Sequence, residues 1–156
     1  MKLIIGGAFQ GKLEYARTQY GLADGWIDGA DCVPEAIEGC RGIFHFEAFV
    51  RRLLQERAEE GQAWELTVER FAATVAERLY EKNPELVVVT RELGCGIVPI
   101  DPQDRKYRET HGRICTELAK RADEVVRVIC GVGMKLKYLD DTRVKRSCVS
   151  CLHEKA

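Results

Sequence analysis

The chain opens with a strand-length apolar run, Lys2-Leu3-Ile4-Ile5, that passes directly into Gly6-Gly7-Ala8-Phe9-Gln10-Gly11-Lys12-Leu13. A strand, a GxxxxGK loop and then a helix narrow the fold sharply. In that arrangement backbone N–H groups and a helix N-terminus cradle a triphosphate, and the lysine reaches its β and γ phosphates. The loop residues Gly6, Gly7, Ala8, Phe9, Gln10, Gly11, Lys12 and Leu13 are therefore candidate nucleotide-binding residues. Lys12 is also a candidate catalytic residue, because neutralising the transferred phosphoryl group is the main work of phosphoryl transfer. The next position should offer a Ser or Thr hydroxyl to magnesium. Leu13 stands there instead, so coordination of Mg2+ is weakened by one hard oxygen ligand.

Downstream, strand and helix patterns alternate as in a mostly parallel α/β sheet flanked by helices. Leu13, Ala16 and Tyr20 place a helix over Lys12 to Tyr20, and Gly21 to Cys40 reads as a connection with a short strand at Trp26-Ile27-Asp28. Gly42 to Phe46 reads as a core strand that includes His45, followed by a helix from Glu47 to Glu60. After Gly61, the 3.6-residue period of Trp64, Val68, Phe71, Ala72, Val75 and Leu79 predicts a long helix that stops near Asn83-Pro84. Leu86-Val87-Val88-Val89-Thr90 has no polar face and predicts a strand at the centre of the sheet. A helix from Gln103 to Ala122, a strand from Glu124 to Cys130 and an antiparallel edge strand at Met134 to Tyr138 complete the pattern. Residues 1–140 thus read as one α/β domain, and 141–156 as a basic, cysteine-containing tail.

At 156 residues, 46% of them hydrophobic, the chain is long enough to bury a single core. Its 24 basic and 25 acidic residues leave a net charge of -1, which supplies no bulk attraction to nucleic acid or to an anionic membrane. The apolar run before the glycines is too short for a signal peptide, and no stretch approaches the roughly 18 apolar residues of a membrane span. The expectation is a cytoplasmic protein whose seven cysteines are reduced. Cys148, Cys151 and His153 have the spacing of up to three zinc ligands, but no fourth ligand is in sight, and an exposed tail is the preferred reading.

Several segments together resemble one family. They are Val88 to Pro99 (VVTRELGCGIVP), Arg105 to Arg113 (RKYRETHGR), Ala122 to Val125 (ADEV) and Gly131 to Lys137 (GVGMKLK), with the phosphate loop added. They look like the bifunctional adenosylcobinamide kinase and adenosylcobinamide-phosphate guanylyltransferase of cobalamin assembly. The resemblance implies a P-loop NTPase-like fold and ATP or GTP as cofactor with Mg2+. It also implies phosphorylation of an adenosylcobinamide-type hydroxyl, and a homo-oligomer. The second reaction of the family, GMP transfer through a guanylylated histidine, is not carried over. The corresponding stretch, Gly21 to Arg41, contains no histidine.

Three further residues are candidates by position. Glu92, just past the central strand, is placed to support Mg2+ or the substrate hydroxyl, or is a plain loop carboxylate. Glu47 follows the strand ending at Phe46 and faces the nucleotide, or is an acid favoured by the first turn of its helix. Arg105, with Arg108 and Gly112, shares one helical face that would meet a ligand or remain a solvated basic stripe. His45 and His111 read as packing or hydrogen-bonding residues. Three functions compete: a working kinase, a degenerate relative that binds nucleotide or corrinoid without turnover, and a metal-linked interaction protein resting on the terminal cysteines.

Overall fold

The computed structural model describes residues 1–21, 24–59 and 67–138. They form a six-stranded sheet in the order β2-β3-β4-β1-β5-β6. Its strands are β1 (Lys2–Ile5), β2 (Trp26–Asp28), β3 (Gly42–Phe44), β4 (Val87–Val89), β5 (Glu124–Ile129) and β6 (Val132–Tyr138). The first five run parallel, and β6 returns antiparallel along β5 as an edge. The helices are α1 (Lys12–Tyr20), α2 (Phe46–Glu59), α3 (Val68–Lys82) and α4 (Pro102–Arg121). None of them is long and apolar enough to cross a membrane.

The two faces of the sheet follow from the two-residue period of strands. Leu3, Ile43, Val88 and Val125 join Phe46 and Phe49 of α2, Phe71 and Ala76 of α3, and Ile114 and Leu118 of α4 in one buried cluster. The neighbouring positions Ile4, Val87, Val89, Val126 and Val128 point the other way, against Ala16 of α1. Having helices on both faces is why β4 carries no polar residue and why it sits between β3 and β1. Asn83 closes α3 and ties this layer together. Its Nδ2 donates to the carbonyls of Ile37 (2.9 Å) and Cys40 (2.7 Å).

The differences from the sequence reading that bear most on the site lie at residues 44–46 and at the start of the third helix; elsewhere boundaries move by one or two residues, β6 for example beginning at Val132. The strand expected to reach Phe46 ends at Phe44, and Phe46 is already the first residue of α2, fully buried. His45 is therefore not a core-strand residue. It adopts φ 50°, and its side chain is half exposed. A single left-handed residue converts the apolar alternation into a strand-to-helix turn, which periodicity alone cannot register. The third helix is described from Val68, capped by Thr67, whose Oγ1 accepts from the Arg70 N–H; Gly61 and Trp64 lie outside the described residues, as does the 141–156 tail with Cys148, Cys151 and His153.

Candidate active site

Parallel sheets collect their loops at the carboxyl ends of the strands. Here β1 delivers Gly6 to Leu13, β2 delivers Asp28, β3 delivers His45 and Glu47, and β4 delivers Thr90 and Arg91. These loops enclose a cleft of about 220 Å3 lined by residues 8–14 together with Phe44, His45, Glu47, Val89, Thr90 and Arg91.

The loop after β1 is held from both sides. At Gly6, with φ 154°, a Cβ would lie 2.3 Å from the Val128 carbonyl oxygen, so only glycine lets the chain turn this close to β5. The Gln10 carboxamide accepts from the Cys130 N–H (2.6 Å), and the Gln10 carbonyl accepts from the Gly131 N–H (2.9 Å), which fastens the loop to the β5–β6 turn. Lys12 begins α1, is buried, and donates from Nζ to the Gly7 carbonyl (2.6 Å). Burial is the largest influence on this amine and lowers its pKa; Glu47 opposes the shift and Arg91 adds to it.

The same cleft holds a buried acid. Glu47 Oε2 accepts from the Arg91 N–H (3.2 Å) and from the Thr90 hydroxyl (3.3 Å). Oε1 is 2.7 Å from Arg91 Nε, an ion pair by distance, yet it receives no aligned hydrogen bond. Thr90 Oγ1 also lies 2.8 Å from His111 Nε2. The hydroxyl has one proton, and giving it to Glu47 leaves Thr90 as acceptor, so His111 carries its proton on Nε2. Burial pushes His111 down to about 4, only partly offset by Glu47, and pushes the neighbouring Cys115 thiol up to about 12. Both are neutral near pH 7.

The structure brings Lys12, Glu47 and the loop residues Ala8 to Leu13 into one cleft. It does not bring Glu92 or Arg105 to the lining. The Glu92 carboxylate meets the Arg127 guanidinium at 3.0 Å, while its N–H donates to the Gly6 carbonyl and so buttresses the loop from behind. Arg105 donates to the carbonyls of Pro99 and Ile100, and Arg108 to that of Ile97; both hold the 91–101 loop against α4. A Cβ at Gly112 would meet nothing within 4 Å among the described residues. Asp28, Thr90, Arg91 and His111 were not singled out for chemistry in the sequence. The available signal was positional: Asp28 ends β2, and Thr90 and Arg91 are the first two residues after β4.

As for magnesium, Leu13 lines the cleft with a side chain that cannot be a ligand. Glu47 Oε1, a buried carboxylate oxygen without an aligned donor, is of the right chemistry for a hard cation that also keeps water and phosphate oxygens. Among the described residues there is no cluster of three or more His, Cys, Asp or Glu side chains able to hold a metal unaided.

The parallel sheet, the glycine loop leading into α1 and the acid that shares the cleft with Lys12 define an α/β fold of the P-loop type. The chain belongs to the cobinamide kinase / cobinamide phosphate guanyltransferase family, whose model matches residues 46–136. It is similar to the bifunctional adenosylcobalamin biosynthesis protein CobU of Salmonella typhimurium, with 45% identity over 53 residues, which is 34% of this chain and 29% of that protein. The protein of the same name from Escherichia coli K12 is 43% identical over 53 residues, again 34% and 29% of the two chains. The matched stretch thus spans under a third of those relatives, and the family match begins after the phosphate loop.

Proposed function

We propose that this chain acts in adenosylcobalamin biosynthesis as a kinase, transferring the γ-phosphoryl group of ATP or GTP to the hydroxyl of an adenosylcobinamide-type alcohol. The observation that carries the reading is that Lys12 and the buried Glu47 line a single cleft at the carboxyl ends of parallel strands. The loop amides and the start of α1 bind the β and γ phosphates, and Lys12 offsets the charge that develops on the transferred group. Bound phosphate raises the Lys12 pKa again and keeps the amine protonated. Glu47 is the residue that would hold Mg2+, which when bound neutralises phosphate charge. Glu92 and Arg105 serve this reading by fixing the walls of the site. Family membership supports assembly of several subunits. Guanylyl transfer is not part of the proposal, since residues 21–41 lack a histidine.

Leu13 favours a second reading, a relative that binds nucleotide or corrinoid without turnover. The experiment that separates the two is transfer of label from γ-labelled ATP or GTP to adenosylcobinamide, with nucleotide binding followed by calorimetry. Lys12→Ala should lower nucleotide affinity by at least about tenfold, the effect of losing roughly 1.4 kcal/mol of charge-assisted contact. Unchanged affinity in that variant refutes the loop assignment. Tight binding without transfer selects the non-catalytic relative.

A further inference from the structure

Asp28 and His45 form a pair that neither the phosphate loop nor the Lys12–Glu47 arrangement uses. His45 Nδ1 lies 3.0 Å and 3.2 Å from the two oxygens of the Asp28 carboxylate. Asp28 is itself fixed, because its Oδ1 accepts from the Ala30 N–H at 2.9 Å. The backbone beneath the pair is equally constrained. A Cβ at Gly29 would lie 2.6 Å from the His45 carbonyl oxygen, so this position must be glycine for the β2 and β3 ends to meet. The His45 carbonyl accepts from the Ala48 N–H (2.8 Å) at the start of α2, which holds the residue at φ 50°. A histidine in the left-handed region is uncommon and persists where its surroundings over-determine it, often at a site of function. Among the described residues only Phe9, His45 and Cys130 do this without being glycine. Phe9 and His45 line the same cleft, and the Cys130 N–H grips the loop through Gln10.

In the tautomer that donates Nδ1–H to the carboxylate, Nε2 keeps its lone pair, on a residue that lines the same cleft as Lys12. We infer that His45, oriented by Asp28, is the base that takes the proton of the acceptor alcohol during phosphoryl transfer. The inference rests on the kinase reading and adds to it the residue that activates the second substrate. In the step, the alcohol oxygen forms a bond to the γ-phosphorus as its O–H proton passes to His45 Nε2. The bond from γ-phosphorus to the bridging oxygen breaks, and its electron pair leaves with the nucleoside diphosphate. The imidazolium, stabilised by Asp28, then returns its proton to water. Catalysis by such a positioned base contributes about 10² to 10⁴ in rate.

The test compares the wild-type chain with His45→Asn, a residue that tolerates the left-handed conformation, with His45→Gly, and with Asp28→Asn. Transfer of γ-label to adenosylcobinamide is measured beside calorimetric nucleotide affinity. The expected result for His45→Asn is a fall in kcat of about 10²-fold or more with nucleotide affinity unchanged. His45→Gly should recover part of its rate when imidazole is added, which a purely structural histidine would not show. Asp28→Asn, a positioning change, should lower kcat by a smaller factor and leave nucleotide affinity unchanged. Wild-type transfer that survives His45→Asn within a few-fold overturns the inference while leaving the kinase reading intact. So does a rate lost in His45→Gly that imidazole does not restore, or label recovered covalently on His45, which would make it a nucleophile. A wild-type chain that binds nucleotide but transfers nothing removes the kinase reading and this inference with it.

Discussion

Protonation of His111 should cost this fold a measurable and bounded amount of stability. The ring is buried between β4 and α4, its Nε2 lies 2.8 Å from the Thr90 hydroxyl, and burial lowers its pKa from 6.5 to about 4. In the unfolded chain the ring takes up a proton near 6.5; in the folded chain it resists until about 4. Between those values the unfolded state binds more protons, so stability rises with pH there. The contribution is fully present above 6.5, is lost as pH falls toward 4, and does not change further below that. At about 1.4 kcal/mol per pH decade, the loss is about 3 kcal/mol, a large fraction of the 5–15 kcal/mol typical of a domain. Urea denaturation from pH 7.5 to 3.5, for wild type and His111→Gln, isolates this group from the carboxylates that titrate in the same range. Glutamine keeps a donor for Thr90 and does not titrate. The wild-type advantage should shrink by about 3 kcal/mol across the window, and parallel curves for the two proteins would falsify the linkage.

Asn83→Ala removes two buried hydrogen bonds, leaving the Cys40 carbonyl without this donor and the Ile37 carbonyl with only the weak Cys40 thiol donor at 3.4 Å, so denaturation should show a loss of about 2–4 kcal/mol with nucleotide affinity little changed. Gly6→Ala places a methyl 2.3 Å from the Val128 carbonyl, and the loop must move off β5. The expected outcome is about 1–3 kcal/mol of lost stability by chemical denaturation, together with loss of the heat of ATP or GTP binding. Leu13→Ser returns a hydroxyl to the first turn of α1. It should raise Mg2+-dependent transfer several-fold, about 1 kcal/mol, with a smaller change in affinity, and a magnesium titration of the rate checks it.

Much of the architecture is legible in the residues because it rests on patterns that few folds satisfy. The GxxxxGK loop, the β-branched Leu86 to Thr90 run and the 3.6-residue period of the helices each report a local environment directly. The parallel order of β1, β3 and β4 and the antiparallel return of β6 follow. The site is legible only in part. Lys12 is announced by its glycines and Glu47 by its place after a strand, but Asp28 and His45 are 17 residues apart. They meet only because β2 and β3 pair in register, Asp28 opposite Phe44. Nothing local marks that pairing. Glu92 illustrates the opposite case. A carboxylate at the right end of the right strand is turned away by Arg127, a residue from β5 that no reading of the 88–99 segment includes.

The replacement of a hydroxyl by Leu13 bears differently on binding and on turnover. The lining sets Lys12 and Arg91 against Glu14 and Glu47, so its side-chain charges balance, and the positive field a phosphate would meet is the local one at Lys12 in the loop. The loop amides and the start of α1 add to that field, and none of these depends on the side chain at position 13. If the loop binds a polyphosphate as proposed, that attraction does not depend on a hydroxyl at position 13. A hydroxyl at that position contributes placement of the cation, and placement matters most where charge develops during transfer. On the proposed reading, the chain retains what it needs to hold a nucleotide and has lost one of several contacts that align it. The consequence of Leu13 should thus fall on kcat before it falls on affinity.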